Sequence, residues 1–373
     1  WSMDYNELNT HLNRVQKVLE QGVPQMDLAI LRNDYFFNCG LLRNDGSKDY
    51  INNDFHQHKG IYWQDTTLQD AGYTYDYFSP YLLQDQDITC SDGLIQADGV
   101  GYQAIVVYQE EMPYESAKVL LQWAQSGLPV ILVDGPSTEF VRNSDQTGRV
   151  YKYNDGAAIT TGSNDGLDED MVAVMDQIRQ LDNVKCIGSV EEAYDALAEL
   201  NVKPRSENVE INQNIVPVMR KSEDATYLFL YNYMYEDTEN YVGQVSVDGI
   251  YAPYVLDTWT GEVNEVADYS YEDGRTILNV NIAPGEVMIF TLNPDVEDPT
   301  EKTIVNKDNV YKLSVEDGQT VMNVSESGPA TITYSDGSTF KTNVEALDDI
   351  NLDKWNLTVE SWEPGDKLTR TED

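Results

Sequence analysis

The sequence predicts a multidomain protein of mixed α/β and all-β class: a parallel, doubly wound α/β domain followed by β-sandwich domains. Three observations predict it. Residues 103–133 run as an apolar strand, an amphipathic helix and a second apolar strand, the pattern of a βαβ unit with a right-handed crossover. Near Val202 the pattern changes to short strands separated by turn dipeptides. The length of 373 residues holds two or three domains of ordinary size.

The elements follow in order. Asp4 can cap a helix, with Glu7 three positions on, and Leu8, Leu12, Val15 and Leu19 then share one face. Gly22 and Pro24 end that helix, and residues 26–31 follow as a short buried strand. Residues 32–100 are irregular and rich in Asn, Asp, Gly, Tyr and Gln, with an aromatic run at 72–80 and a short helix after it. A loop of this length points to a functional insertion or to short elements that periodicity does not resolve. The strand at 103–108 leads into a helix over about 114–126, with Ala117, Leu120, Leu121 and Ala124 inward and Gly127 closing it. Residues 128–133 form the next strand, followed by a helix near 171–181, a strand at Val184–Ile187 and a helix near 190–200. Together these make an α/β domain over 26–202. From Val216 to Leu292 strands alternate with Asp248-Gly249, Thr260-Gly261, Asp273-Gly274 and Pro284-Gly285, which defines a β-sandwich domain over 203–294. An acidic linker covers 295–302. Residues 303–373 read as a small β module and, from Trp355, the start of a truncated β-sandwich.

Charge excludes several functions. The chain has 65 Asp and Glu against 24 Lys and Arg, a net charge of −41. Such a surface repels phosphate backbones, so nucleic acid is excluded as a partner. No apolar run reaches the ~18 residues of a spanning helix, so membrane insertion is not expected. An aromatic content of 10% argues against disorder, because those rings need a core. Cys39, Cys90 and Cys186 are widely spaced with no CxxC, which supports neither a disulfide framework nor a zinc site. The chain opens Trp1-Ser2-Met3-Asp4, with neither a signal peptide nor an initiating Met. Position 1 is therefore expected to be a cut inside a longer polypeptide.

Catalytic motifs are scarce. There is no G-x-S-x-G, no P-loop and no H-E-x-x-H, and Gly99-Val100-Gly101-Tyr102-Gln103-Ala104 breaks the dinucleotide fingerprint. His56-Gln57-His58 has ligand-like spacing, and Asp54 or Asp65 could add oxygen. A solvated polar loop explains the same residues. Glu110-Glu111 follows a parallel strand, where open α/β sheets place ligands, and would equally suit a helix N-terminus. Asp134-Gly135-Pro136 has the same ambiguity. An amidotransferase-like sheet would put a nucleophilic Cys after a strand, whereas Tyr108 follows Val107. The aromatics in or near the irregular region are a better pointer, since rings beside amides and acids hold sugars. Candidate substrate-binding residues are His56, His58, Trp63, Tyr73 and Tyr75; packing of the loop against the sheet is the structural alternative.

Several segments together resemble glycoside hydrolase family 106, the α-L-rhamnosidases. Residues 12–22, with Arg14, Leu19 and Gly22, followed by Asp27-Leu28-Ala29-Ile30-Leu31, resemble the end of that family's catalytic barrel and the strand after it. Gly72-Tyr73-Thr74-Tyr75-Asp76-Tyr77, Leu82-Leu83, Asp92-Gly93 and residues 101–107 follow in the family's order. Leu256-Asp257-Thr258-Trp259-Thr260-Gly261 resembles a hairpin of its next β domain, and Ala283-Pro284-Gly285-Glu286 the turn before that domain's closing strand. Residues 355–362 resemble the start of a later β-sandwich. Residues 303–345 and the stretch around 47–59 depart from the pattern.

The resemblance implies that residues 1–25 are the terminal helix of an upstream barrel and that the catalytic glutamates lie on that barrel. No residue here inherits a catalytic role, and the isolated chain is expected to be inactive. It implies a glycan or oligosaccharide partner and an extracellular or cell-surface bacterial location. No cofactor or metal is expected in this chain, while the full-length enzyme has room for calcium. Two other readings stand beside it: a stand-alone carbohydrate-binding or structural module, and an enzyme using the α/β crevice with Glu110, Glu111 or His56 as acid and base.

Overall fold

The computed structural model describes residues 5–32, 63, 65–135, 140–141, 150–151, 156–296, 303–316, 319–324, 326–345, 347, 354, 356–357, 360–363 and 369–372. A five-stranded parallel sheet lies at its centre. Its spatial order is Val184–Ile187, Val130–Val133, Ala104–Val107, Leu28–Leu31, Tyr75–Phe78. In chain order the strands run 2-1-3-4-5, a doubly wound arrangement whose direction switches between Leu28–Leu31 and Ala104–Val107.

The apolar runs explain why this sheet forms. Every residue of Leu28–Leu31, Ala104–Val107 and Val130–Val133 is buried, as a sheet covered on both faces requires. Ala29, Leu31, Ile105, Val107, Val130 and Leu132 face the helices Tyr114–Gln125 and Asp168–Arg179, through Ala117, Leu120, Met171 and Met175. The alternate residues Leu28, Ile30, Ala104, Val106 and Ile131 face Thr67–Asp70 and Ala193–Glu199 through Leu68, Ala193 and Leu197. The helix expected from residue 171 begins at Asp168, because Asp168, Glu169 and Asp170 form a first turn favoured by the helix dipole. The aromatic run, left irregular by periodicity, supplies the edge strand Tyr75–Phe78, where only Phe78 is buried. An edge strand with one buried residue has no alternation to read.

The β-sandwich packs a six-stranded antiparallel sheet on a four-stranded one. The first has the order Val23–Gln25, Ile215–Lys221, Thr226–Asn232, Val287–Asn293, Ala252–Leu256, Val263–Glu265. The second has the order Ser206–Asn208, Tyr241–Asp248, Arg275–Ile282, Tyr269–Glu272. Leu228, Leu230, Phe290 and Leu292 meet Val245, Val247, Leu278 and Val280 between them. The expected boundary at residue 25 changes here. Val23–Gln25 is the edge strand of the sandwich, with Pro24 at an edge position that tolerates proline. The α/β domain is therefore inserted between two adjacent strands of one sheet.

The helix Tyr5–Leu19 buries none of its residues. His11 stacks on Trp259 at 4.1 Å between ring centroids, and Arg14 donates to the Thr258 carbonyl at 2.9 Å. The first half of its apolar face points outward, with Leu8 44% and Leu12 52% exposed, while Val15 and Leu19 are partly buried. Beyond the sandwich, Ile304–Asp308, Gly328–Tyr334 and Thr339–Val344 form a three-stranded sheet. Lys312–Glu316 pairs with Gln319–Asn323 beside it, around a small core of Ile304, Leu313 and Ile332. The late strand expected from Trp355 lies at Glu360–Glu363, paired with Thr369–Glu372. Among the described residues no helix is long and apolar enough to cross a membrane.

Candidate functional site

Open parallel sheets bind ligands at the carboxyl ends of their strands, beside the switch in strand order. Here that point lies between the ends of Leu28–Leu31 and Ala104–Val107, so Arg32 and Tyr108 flank it. The guanidinium of Arg32 sits 4.4 Å from the centroid of the Tyr77 ring. The Tyr77 hydroxyl accepts a bond from the Trp63 backbone N–H at 2.9 Å. The Trp63 ring meets Tyr108 edge-on, with centroids 5.7 Å apart. Trp63 and Tyr108 are both buried, and among the described residues the Trp63 indole nitrogen has no hydrogen-bond partner.

Two of the proposed carboxylate positions lie along the same edge. Glu110 and Glu111 stand before the helix rather than at its first turn, which begins at Tyr114 after Pro113. Their backbone pairs with the crossover segment: Thr160 N–H donates to the Glu110 carbonyl at 3.1 Å, and Ala158 N–H to that of Gln109 at 2.9 Å. Asp134 is engaged in a clamp. Its carboxylate accepts from Arg179 Nη2 at 2.6 Å, Arg179 Nε at 3.0 Å and the Ala157 N–H at 3.1 Å. Burial raises this carboxyl, but the bonds from Arg179 and Ala157 outweigh it, and the group lies below its ordinary value. The neighbouring Cys186 thiol is pushed up to about 11 by burial and by the Asp134 charge, so it is a poor nucleophile at neutral pH.

The sequence candidates separate. His56 and His58 lie outside the described residues. Trp63 joins the switch-point cluster but is only 6% exposed. Tyr73 sits before the edge strand, away from that cluster, and is 3% exposed. Its hydroxyl donates to the Val202 carbonyl at 2.6 Å, and burial pushes its own ionisation up. Tyr75 is half-buried, edge-on to Tyr77 at 5.9 Å. Asp65, raised as a metal ligand, accepts instead from the N–H and hydroxyl of Thr67, each at 3.0 Å, and so begins a helical turn. Among the described residues no group of three or more His, Cys, Asp or Glu could hold a metal. Arg32 and Tyr108 are the residues sequence reasoning passed over as binding groups. The signal was their place, one step past a wholly apolar strand.

Chemically, the cluster can stack and can donate hydrogen bonds. The position that an amidotransferase-like sheet gives to a nucleophile holds Tyr108, 2% exposed.

No family model matches the chain, and no curated protein matches it. Solved structures do. A rhamnosidase from Novosphingobium sp. PP1Y superposes with a TM-score of 0.55 at 14% identity, covering 87% of this chain and 30% of that one. A beta-galactosidase from Bacillus circulans sp. alkalophilus matches with a TM-score of 0.35 at 12% identity, covering 77% of this chain and 44% of that one. The chain thus spans about a third of the rhamnosidase and shares the fold of that portion.

Proposed function

We propose that this chain is the accessory, non-catalytic part of a secreted glycoside hydrolase resembling the family 106 α-L-rhamnosidases. Its α/β domain and sandwich would support a catalytic barrel that supplies the two carboxylates flanking a glycosidic bond. The observation that carries this reading is the superposition on the rhamnosidase over 87% of this chain. The α/β edge adds support: Tyr108 holds the nucleophile position and Asp134 is committed to Arg179. The exposed Leu8 and Leu12 of the helix Tyr5–Leu19 suit packing against such a barrel. The substrate would be a terminal sugar, rhamnose first, on a neutral glycan outside the cell.

Incubating the purified chain with aryl α-L-rhamnosides tests the reading. The expected result is no turnover above buffer. Turnover that persists through purification would place the catalytic groups in this chain and overturn it.

A further inference from the structure

A second concave surface lies far along the chain from the switch point. A cleft of about 1060 Å³ opens between the sandwich and the C-terminal β module. One wall is the pair of strands Tyr241–Asp248 and Arg275–Ile282; the other is the start of the hairpin Lys312–Glu316.

The wall on the sandwich carries a row of amides. Asn240 Nδ2 donates to Asn281 Oδ1 at 2.8 Å, and Gln244 Nε2 to Asn279 Oδ1 at 2.9 Å. Asn279 Nδ2 in turn donates to Asp268 Oδ1 at 2.8 Å, and Asp268 is ion-paired with Lys307. Asn279 and Asn281 are two residues apart on one strand, so successive amide pairs repeat every ~7 Å along one face. These bonds fix the rotamers of the amides. Among the described residues they leave the Gln244 carbonyl oxygen and the Asn281 amide nitrogen without a side-chain partner.

A fixed acceptor and a fixed donor on a repeat suit hydroxyl groups, which both give and take a bond. Because the side chains are already ordered, binding costs less entropy. Tyr311, 74% exposed, stands at the rim, where an aromatic face can lie against the C–H face of a sugar ring. Four carboxylates line the cleft against two lysines, a balance that disfavours anions.

We infer that this cleft binds an uncharged oligosaccharide.

The full chain can be titrated calorimetrically with cellohexaose, xylohexaose and mannohexaose, with hexagalacturonate as the charged counterpart. At least one neutral hexaose should bind saturably, and hexagalacturonate at least about tenfold more weakly. Tyr311→Ala and Gln244→Ala should each weaken the neutral ligand by about tenfold, the loss expected for a central contact. Both side chains are exposed, so the thermal midpoint should hold. No binding of any neutral hexaose at millimolar concentration would overturn the inference. So would affinity unchanged in both variants, or preference for hexagalacturonate. None of these outcomes bears on rhamnoside hydrolysis, so this site and the proposed function stand or fall separately.

Discussion

Asp134 is a carboxylate whose place suggested chemistry and whose contacts give it a structural task. It holds Arg179 and the Ala157 N–H, and so pins the crossover segment to the end of the sheet. Its folded ionisation lies below the ordinary value of 3.8. A depressed carboxyl contributes stability that is complete above the unfolded value and is lost as pH falls through the folded one. Asp134→Asn should therefore cost about 1–3 kcal/mol at pH 7, as expected for an exchanged charged hydrogen bond. The gap to the parent chain should narrow below pH 4, which urea unfolding at pH 7 and pH 3 would show. The sequence marks Asp134 by its position after an apolar strand. It does not mark Arg179, because that pairing depends on how the helix Asp168–Arg179 seats on the sheet. Tyr108 was legible as an absent nucleophile, whereas its contact with Trp63 was not, since a long irregular segment separates the two elements.

Among the elements, the helix Tyr5–Leu19 was legible in its existence through its period, whereas its expected cap Asp4 lies outside the described residues. Its attachment was not legible. A turn of the sandwich holds it, with Trp259 stacked on His11 and the Thr258 carbonyl bound by Arg14. With no buried residue, the helix depends on these few contacts. Trp259→Ala should speed hydrogen exchange of amides 5–19 while leaving the parallel sheet unchanged; equal protection in both proteins would show another anchor. The strand Tyr75–Phe78 was the opposite case, hidden because its single buried residue leaves no pattern. The parallel strands were plain, since an apolar run of four between a turn and a helix has few other uses.

At the scale of the molecule, the two domains meet at Asp27. Its carboxylate is 1% exposed and accepts bonds from Thr74 N–H and hydroxyl, Gln103 Nε2 and the Arg205 N–H. Arg205 completes the ion pair and also donates to the Met26 and Gly101 carbonyls. Burial pushes the Asp27 carboxyl up, and Arg205 and Thr74 pull it back. Removing one partner strands the rest, so Asp27→Ala should lower stability by roughly 3–5 kcal/mol in denaturant unfolding. A loss below about 1 kcal/mol would mean that the network relaxes freely. The change from a parallel sheet to antiparallel ones was legible from the change of period near Val202. The return of the chain to a sheet that it had already entered was not, because Val23–Gln25 is too short to announce its partner. That return bears on the order of assembly during synthesis. The strand Val23–Gln25 leaves the ribosome long before Ile215–Lys221 exists, and closing so wide a loop by diffusion is slow. The inserted domain removes the difficulty if it folds first, as N-terminal units do. In the folded chain Asp27 and Arg205 are joined at the mouth of that loop, so its ends are held together where the sandwich begins.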